Sequence, residues 1–214
     1  IEEHFAATRR PIEAVHIWSL GDGLDGVTGR MHPKQGWHQD LRGAEQIQAL
    51  ATTHARCVRH VYELARAPVS VHWIQGNHDR MSDHRDDDPV REAGRVAAWW
   101  CEDKLSGLQG LEWMTHDDYI GSAKVRQTLV MGLHGDFKPK SLRDLAWDHR
   151  RADVRDYVIC YGHLHSLKVE GVTDDRGVMT VRNGSPVGTD PYARKLGLGA
   201  RPSQAMFEVR DSGA

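Results

Sequence analysis

Cysteine is scarce in this chain, and although two of the few could bridge, nothing demands it. Cys57, Cys101 and Cys160 are the only three among 214 residues. They are far apart, odd in number and without a CxxC spacing. That gives no sign of a disulfide scaffold, disfavours a structural thiolate zinc site, and makes a reducing, cytoplasmic setting the easier reading. Long apolar runs are missing as well. The longest are a few residues, against the roughly 18 needed to cross a bilayer, so no membrane partner is expected. Neither sign of charge dominates: 28 Lys and Arg face 30 Asp and Glu, for a net charge of −2. A nucleic-acid footprint over the whole surface is therefore lacking, and any such binding would need a local basic patch. Internal repeats and low-complexity segments are lacking too, and no secretory segment is visible in the first thirty residues. Asp86-Asp87-Asp88 reads as a short solvated loop. The length suits one domain over residues 1–214, and nothing in the pattern fixes an oligomeric state.

Histidine, by contrast, is plentiful, with fourteen copies of the commonest metal-ligand type. His32, His38, His54, His60 and His149 lie in polar stretches and read as surface residues. Others are set apart by position. Four short apolar runs each end abruptly in a polar cluster that contains glycine. Ala14–Leu20 runs into Gly21-Asp22-Gly23-Leu24-Asp25, and Val69–Ile74 into Gly76-Asn77-His78-Asp79. Thr128–Leu133 runs into His134-Gly135-Asp136, and Tyr157–Tyr161 into Gly162-His163-Leu164-His165. Each run has the length and β-branched content of a strand closed by a turn.

Helices are expected between these runs. One covers Gly43–Arg66, with Leu50, Cys57, Val58, Val61 and Leu64 as its apolar stripe. A second covers Pro89–Lys104, with Val96, Trp99 and Trp100 packing inward, and a shorter, charged one covers Asp144–Asp156. After residue 166 the texture becomes strand-rich, at Leu167–Val172, Val178–Val181 and Ala205–Val209. Strands alternating with helices and then a run of strands argue for an α/β (or α+β layered) domain. In such sheets ligands sit in the loops beyond the strand ends. All four clusters occupy that place.

Together the clusters hold Asp22, Asp25, Asn77, His78, Asp79, His134, Asp136, His163 and His165. A mixed set of carboxylates, an amide and imidazoles suits Mn, Fe or Zn better than Ca or Mg, which prefer oxygen alone. His163 and His165 flank one residue, so they share a side on an extended segment and reach adjacent metals from a tight loop. The neighbouring glycines let the backbone turn sharply at each cluster.

In this order, each at a strand end, the four blocks resemble the second to fifth signature blocks of the calcineurin-like metallophosphoesterases. The resemblance runs over about residues 14 to 190. It implies a β-sandwich of mixed sheets flanked by helices, and hydrolysis of phosphoesters at two divalent metals, Mn2+ foremost with Fe or Zn as alternatives. It further implies that Asp22 bridges the metals, that Asn77, His134 and His163 complete one site, and that His165 binds the other metal. His78 would act on the substrate, stabilising charge or protonating the leaving oxygen, with Asp79 orienting it. Asp25 and Asp136 would support the ligands from behind. Two metals about 3.5–4 Å apart lower the pKa of a shared water, giving hydroxide near neutral pH for in-line attack on phosphorus. The leaving oxygen departs on the opposite side, where an acid is needed.

One block departs from the family. The first, an Asp-x-His after the first strand, is not present as such. Glu2-Glu3-His4 offers a Glu-x-His with no strand before it. Because the chain opens with Ile1 rather than Met, the block is expected upstream.

The tail, Asn183–Tyr192 with Arg201-Pro202-Ser203-Gln204, resembles the closing segment of phage and bacterial phosphoesterases labelled DNA repair exonucleases. A turn-rich connection between strands explains it equally. The favoured substrate is a phosphodiester, with DNA or RNA as its source. Lys138, Lys140, Arg143, Arg150 and Arg151 follow His134 and would hold phosphates, Trp147 would stack on a base, and Arg80 adjoins His78. Asp144, Asp148 and Asp153 dilute that patch. The alternatives are a phosphomonoesterase acting on a small molecule, nucleotide or phosphoprotein, and a non-catalytic member that uses the fold as a binding platform.

Overall fold

In a computed structural model of the chain, residues 2–3, 11–30, 39–84, 91–136, 142–171, 177–189, 194, 199 and 201–210 are described, Arg143 and Gly171 by backbone alone. His4, His32, His38, Asp86–Asp88, Lys138, Lys140 and Asp190–Tyr192 lie outside the described residues. The chain divides into two compact units, Ile1–Tyr119 and Ile120–Ala214.

The first unit alternates strand and helix: β1 (Val15–Leu20), α1 (Ala44–Ala65), β2 (Val69–Ile74), α2 (Ala93–Leu105) and β3 (Leu111–Thr115). Its sheet is parallel throughout, in the order β1-β2-β3, with Val15 beside Val69 and Val69 beside Leu111. Val15, Ile17, Val69, Val71 and Leu111 pack with Ala51, Ala55, Val58 and Ala65 of α1 and with Cys101 and Leu105 of α2. The period of two along each strand sends the alternate residues, His16, Trp18, Ser70 and His72, to the other face.

Two expectations for these helices are corrected. On α1 the buried stripe is alanine-rich, Ala51, Ala55, Val58 and Ala65, while Cys57 is exposed. Small side chains let α1 lie close to its neighbours, so the larger apolar residues are pushed to its flanks. On α2 the buried set is Ala93, Gly94, Ala97, Ala98, Cys101 and Leu105. That set follows the helical period and leaves Trp99 and Trp100 outside, at 56% and 36% exposure. Arg95 lies 5.5 Å over the Trp99 ring and Lys104 5.6 Å over Trp100. His54 is corrected as well. It sits edge-on to Trp73 at 4.9 Å, and burial pushes its imidazole down to about 4.

The second unit holds β4 (Ile120–Val125), β5 (Thr128–Leu133), α3 (Leu142–Asp148), β6 (Asp156–Tyr161), β7 (Lys168–Gly171) and β8 (Val178–Arg182). They form a mixed sheet in the order β4-β5-β6-β8-β7, parallel for β5–β6 and β6–β8 and antiparallel at both outer pairs. Leu129, Met131, Leu133, Tyr157, Ile159 and Val178 pack against Leu145 and Ala146 of α3. α3 is shorter than the expected Asp144–Asp156 helix. Its last turn closes at His149, which caps the carbonyl of Leu145 with both N and Nδ1.

The segment Ala205–Val209 is not a strand. Side-chain bonds dock it instead: the Ala205 amide donates to Asn183 Oδ1 at 2.7 Å, and Gln204 Nε2 to the Gly184 carbonyl at 3.0 Å. The fold is thus mixed α/β, with two sheets that each carry helices on one face. Among the described residues no helix is long and apolar enough to cross a membrane.

Candidate functional site

Both units bring their candidate residues to the same kind of place. β1 and β2 are adjacent and parallel, so their C-terminal ends lie side by side, and the loops 21–25 and 76–79 leave from there. The backbones of these loops touch. A Cβ on Gly21, whose φ is +82°, would stand 2.5 Å from the Gly76 nitrogen, so only glycine fits.

Asp79 ties the loops together. Buried to 1% exposure, its carboxylate accepts from the amides of Gly76 at 2.8 Å, Asp22 at 3.1 Å and Leu24 at 3.2 Å. The Asp22 carboxylate in turn accepts from the His78 amide at 2.9 Å. Asp22, Asn77, His78 and Asp79 are therefore gathered at one strand-end pair. Sequence reading gave Asp79 the orientation of His78, and the bonds show it organising the loops that carry both Asp22 and His78.

Supporting residues sit further out. Asp25 is exposed, with its amide on Gln46 Oε1 at 3.1 Å and its carboxylate on Gln39 Nε2 at 2.9 Å. Gln46 and Gln39 thereby wall an open cleft of about 440 Å3 beside Gly23, Asp25 and Leu50. Arg80 is buried and spends two donors on the carbonyls of Asn77 and His84, both at 2.6 Å.

In the second unit β5 and β6 are also adjacent and parallel. His134 follows β5 and His163 follows β6, and the Gly162 amide donates to the His134 carbonyl at 2.9 Å. His134 is buried, and its Nε2 faces His163 Nδ1 at 3.2 Å, with the rings at 80°. His163 and His165 have φ of 62° and 54°, and Asp22 has 53°. Three candidate ligands thus hold left-handed backbone, which few non-glycine residues adopt. His165 and Asp136 are exposed. Trp147, at 51% exposure, carries the Arg150 guanidinium 4.3 Å from its ring centre.

Two imidazole nitrogens 3.2 Å apart are either hydrogen-bonded through one N–H or share a cation. Crossed imidazoles on rigid strand ends fit Zn, Mn or Fe in donor type, and residues 163 and 165 lie in the tight loop that bidirectional ligation needs.

Several contributors escaped sequence reading. Gly94 opens α2 against Asp79, where an added Cβ would lie 2.7 Å from the Asp79 Cβ. Glu92 accepts from the Met81 amide at 2.5 Å and Gln75 from the Arg91 amide at 3.1 Å, which fixes the 77–84 turn to the start of α2. A glycine in the first turn of a helix was the available signal, since it costs helix stability and asks for a reason.

No protein family model matches the chain. A search among curated proteins finds no match either. Among solved structures it is similar to a predicted phosphoesterase from Streptococcus pneumoniae, with 14% identity over 83% of this chain and 74% of that one, at a TM-score of 0.34. It is similar to Vps29 of Entamoeba histolytica complexed with Zn2+, with 20% identity over 63% of this chain and 56% of that one, at a TM-score of 0.29. Vacuolar protein sorting 29 of Cryptosporidium parvum gives 13% identity over 84% and 77%, at a TM-score of 0.34. Likeness at this level adds no weight to any residue's role. The roles rest on the chemistry and placement of the side chains themselves.

Proposed function

We propose that the chain is a metal-dependent phosphoester hydrolase whose two strand-end clusters serve one dinuclear centre. The observation that carries this reading is the facing pair His134 Nε2 and His163 Nδ1 in the second unit, matched by a carboxylate, Asp22, locked in place in the first. Asp22, Asn77, His134 and His163 would hold one ion, and Asp22 and His165 the other. Bound metals of this kind supply Lewis acidity that makes hydroxide available near neutral pH and offsets charge on the phosphoryl oxygens.

The chain's own residues do the rest. Asp79 fixes the loops so that the Asp22 carboxylate and the His78 ring keep their positions without reorganisation. His78 donates a proton, or a hydrogen bond, to the leaving oxygen. Arg80 braces the turn that carries His78. A phosphodiester in DNA or RNA is the favoured substrate, supported by the exposed Trp147 with Arg150 against its ring. An indole stacks on any base and a guanidinium pairs with phosphate.

The test uses the chain supplied with Mn2+, assayed on bis(p-nitrophenyl) phosphate, p-nitrophenyl phosphate and single-stranded DNA. Asp22→Ala and His163→Ala should each lower bound metal and cut turnover by at least about 100-fold. His78→Ala should keep its metal and lose about 10²–10⁴-fold, less on the nitrophenyl esters, whose leaving group needs little protonation. Faster monoester than diester hydrolysis would move the substrate to a small phosphate ester. Absence of metal-dependent turnover on all three would leave a binding platform.

A further inference from the structure

Three imidazoles that the proposed centre does not use line up across the first sheet. His16 Nδ1 on β1 lies 3.1 Å from His72 Nε2 on β2, and His72 Nδ1 lies 3.2 Å from Nε2 of His116, just past β3. The His72 and His116 rings are within 8° of parallel, and the Trp18 indole lies flat on His72 at 4.0 Å. His72 has no exposed surface, and its two neighbours are half-buried.

A neutral imidazole carries one N–H and one lone pair. Three neutral rings in a row therefore satisfy both contacts, each ring donating to the next. One added proton places a charge in a buried row, and a second sets like charges about 3 Å apart with N–H facing N–H. Among the described residues, counter-charge reaches only the ends: Glu112 acts on His16, and Asp117 acts on His116 while pairing with Arg95 at 2.7 Å and Arg91 at 3.7 Å. The middle ring feels burial first and then its two flanking histidines, all of which oppose its charge.

We propose that the His16–His72–His116 row is an acid-sensitive latch, which joins the three strands while its rings are neutral and releases the first sheet when they take up protons. The loops with Asp22 and Asn77 hang from the ends of β1 and β2, so opening this sheet scatters them.

The direction follows from linkage. Burial lowers His16 and His116 below the ordinary 6.5 and takes His72 down to about 3. Groups lowered on folding give their full stability above the unfolded value. They lose it as pH falls from 6.5 toward the folded values, because the unfolded chain binds the protons that the folded one refuses. His54, lowered to about 4 on the helix-packed face, adds to this loss in the same sense but is untouched by changes to the row.

The experiment needs no metal and so stands apart from the phosphoesterase reading. Metal-free wild-type and His72→Gln proteins are unfolded by denaturant across about pH 7.5 to 4.5, with amide exchange followed in parallel. At about pH 5 the wild type should take up about one proton more on unfolding than His72→Gln, read from the slope of stability against pH. Amides of Ile17–Ser19 and Val71–Trp73 should lose protection at higher pH than those of Leu129–Met131. Equal slopes, or equal loss of protection in both sheets, would overturn the proposal. If His72→Gln does not fold, histidine 15N spectra of the wild type decide. His72 should keep a neutral-ring pattern for as long as the sheet persists, and a reversible titration near 6.5 in the intact sheet would refute the latch.

Discussion

A carboxylate at 1% exposure must find donors, and Asp79 finds three backbone amides in two loops. Each is a charge-assisted bond, so together they outweigh the cost of burying the charge. Asp79→Asn keeps the shape and turns an NH2 group toward amides that are themselves donors. It should cost about 2–4 kcal/mol, since breaking a buried charged network strands its partners. Metal content and turnover should fall with it, because Asp22 and His78 lose their common anchor. Calorimetric melting with metal analysis checks this, and a variant with wild-type Tm and metal content would remove Asp79 from the role. At this scale the sequence was informative about residue type and position: Asp22, Asn77, His78, Asp79, His134 and His163 all stand at strand ends, as the glycine-bounded clusters indicated. The row of His16, His72 and His116 was not legible, although two of its members sit inside strands that the pattern identified. Period two says which face a residue takes, but the pairing of β1 with β2 and β3 decides which rings meet.

Elements tell a similar story through their edges. The four runs that became β1, β2, β5 and β6 are rich in Val, Ile and Leu; β2, β5 and β6 lie inside their sheets, where burial amplifies the apolar signal, and β1 carries the same residue types at an edge. β3 and β4 were missed. β4 contains Gly121, Ser122, Ala123 and Lys124, and it forms because β5 offers an edge to pair with. Trp99 and Trp100 of α2 face outward rather than inward, against the expectation from sequence. The small residues Ala93, Gly94, Ala97 and Ala98 carry the contact instead. Gly94 is where this element reaches the site, with its amide on the Asp79 carbonyl at 2.9 Å. Gly94→Ala should raise intrinsic helix propensity yet lower stability, by about 1–3 kcal/mol, as the new methyl pushes the Asp79 Cβ away. Turnover should fall in step. A more stable Gly94→Ala protein would mean that the start of α2 gives way easily and exerts no hold on the 76–79 loop.

For the molecule as a whole, fourteen histidines and a net charge of −2 with those histidines neutral make charge sensitive to small changes near neutrality. Protonation of any two brings the net charge to zero, so electrophoretic mobility should vanish between about pH 6 and 7 and turn positive below. Solubility should pass through a minimum there, and attraction to polyanions should grow on the acidic side. A mobility that stays negative to about pH 5 would show that far more histidines are withheld from protonation than the buried His54 and His72. The backbone at Asp22, His163 and His165 carries a different consequence. At φ near +50 to +60° glycine is the residue the chain would choose for folding alone, and each of these positions forgoes roughly 1 kcal/mol by being something else. A laboratory selection for heat resistance, blind to chemistry, would therefore collect glycines at these three places and erase the candidate ligands one by one, each step registering as an improvement.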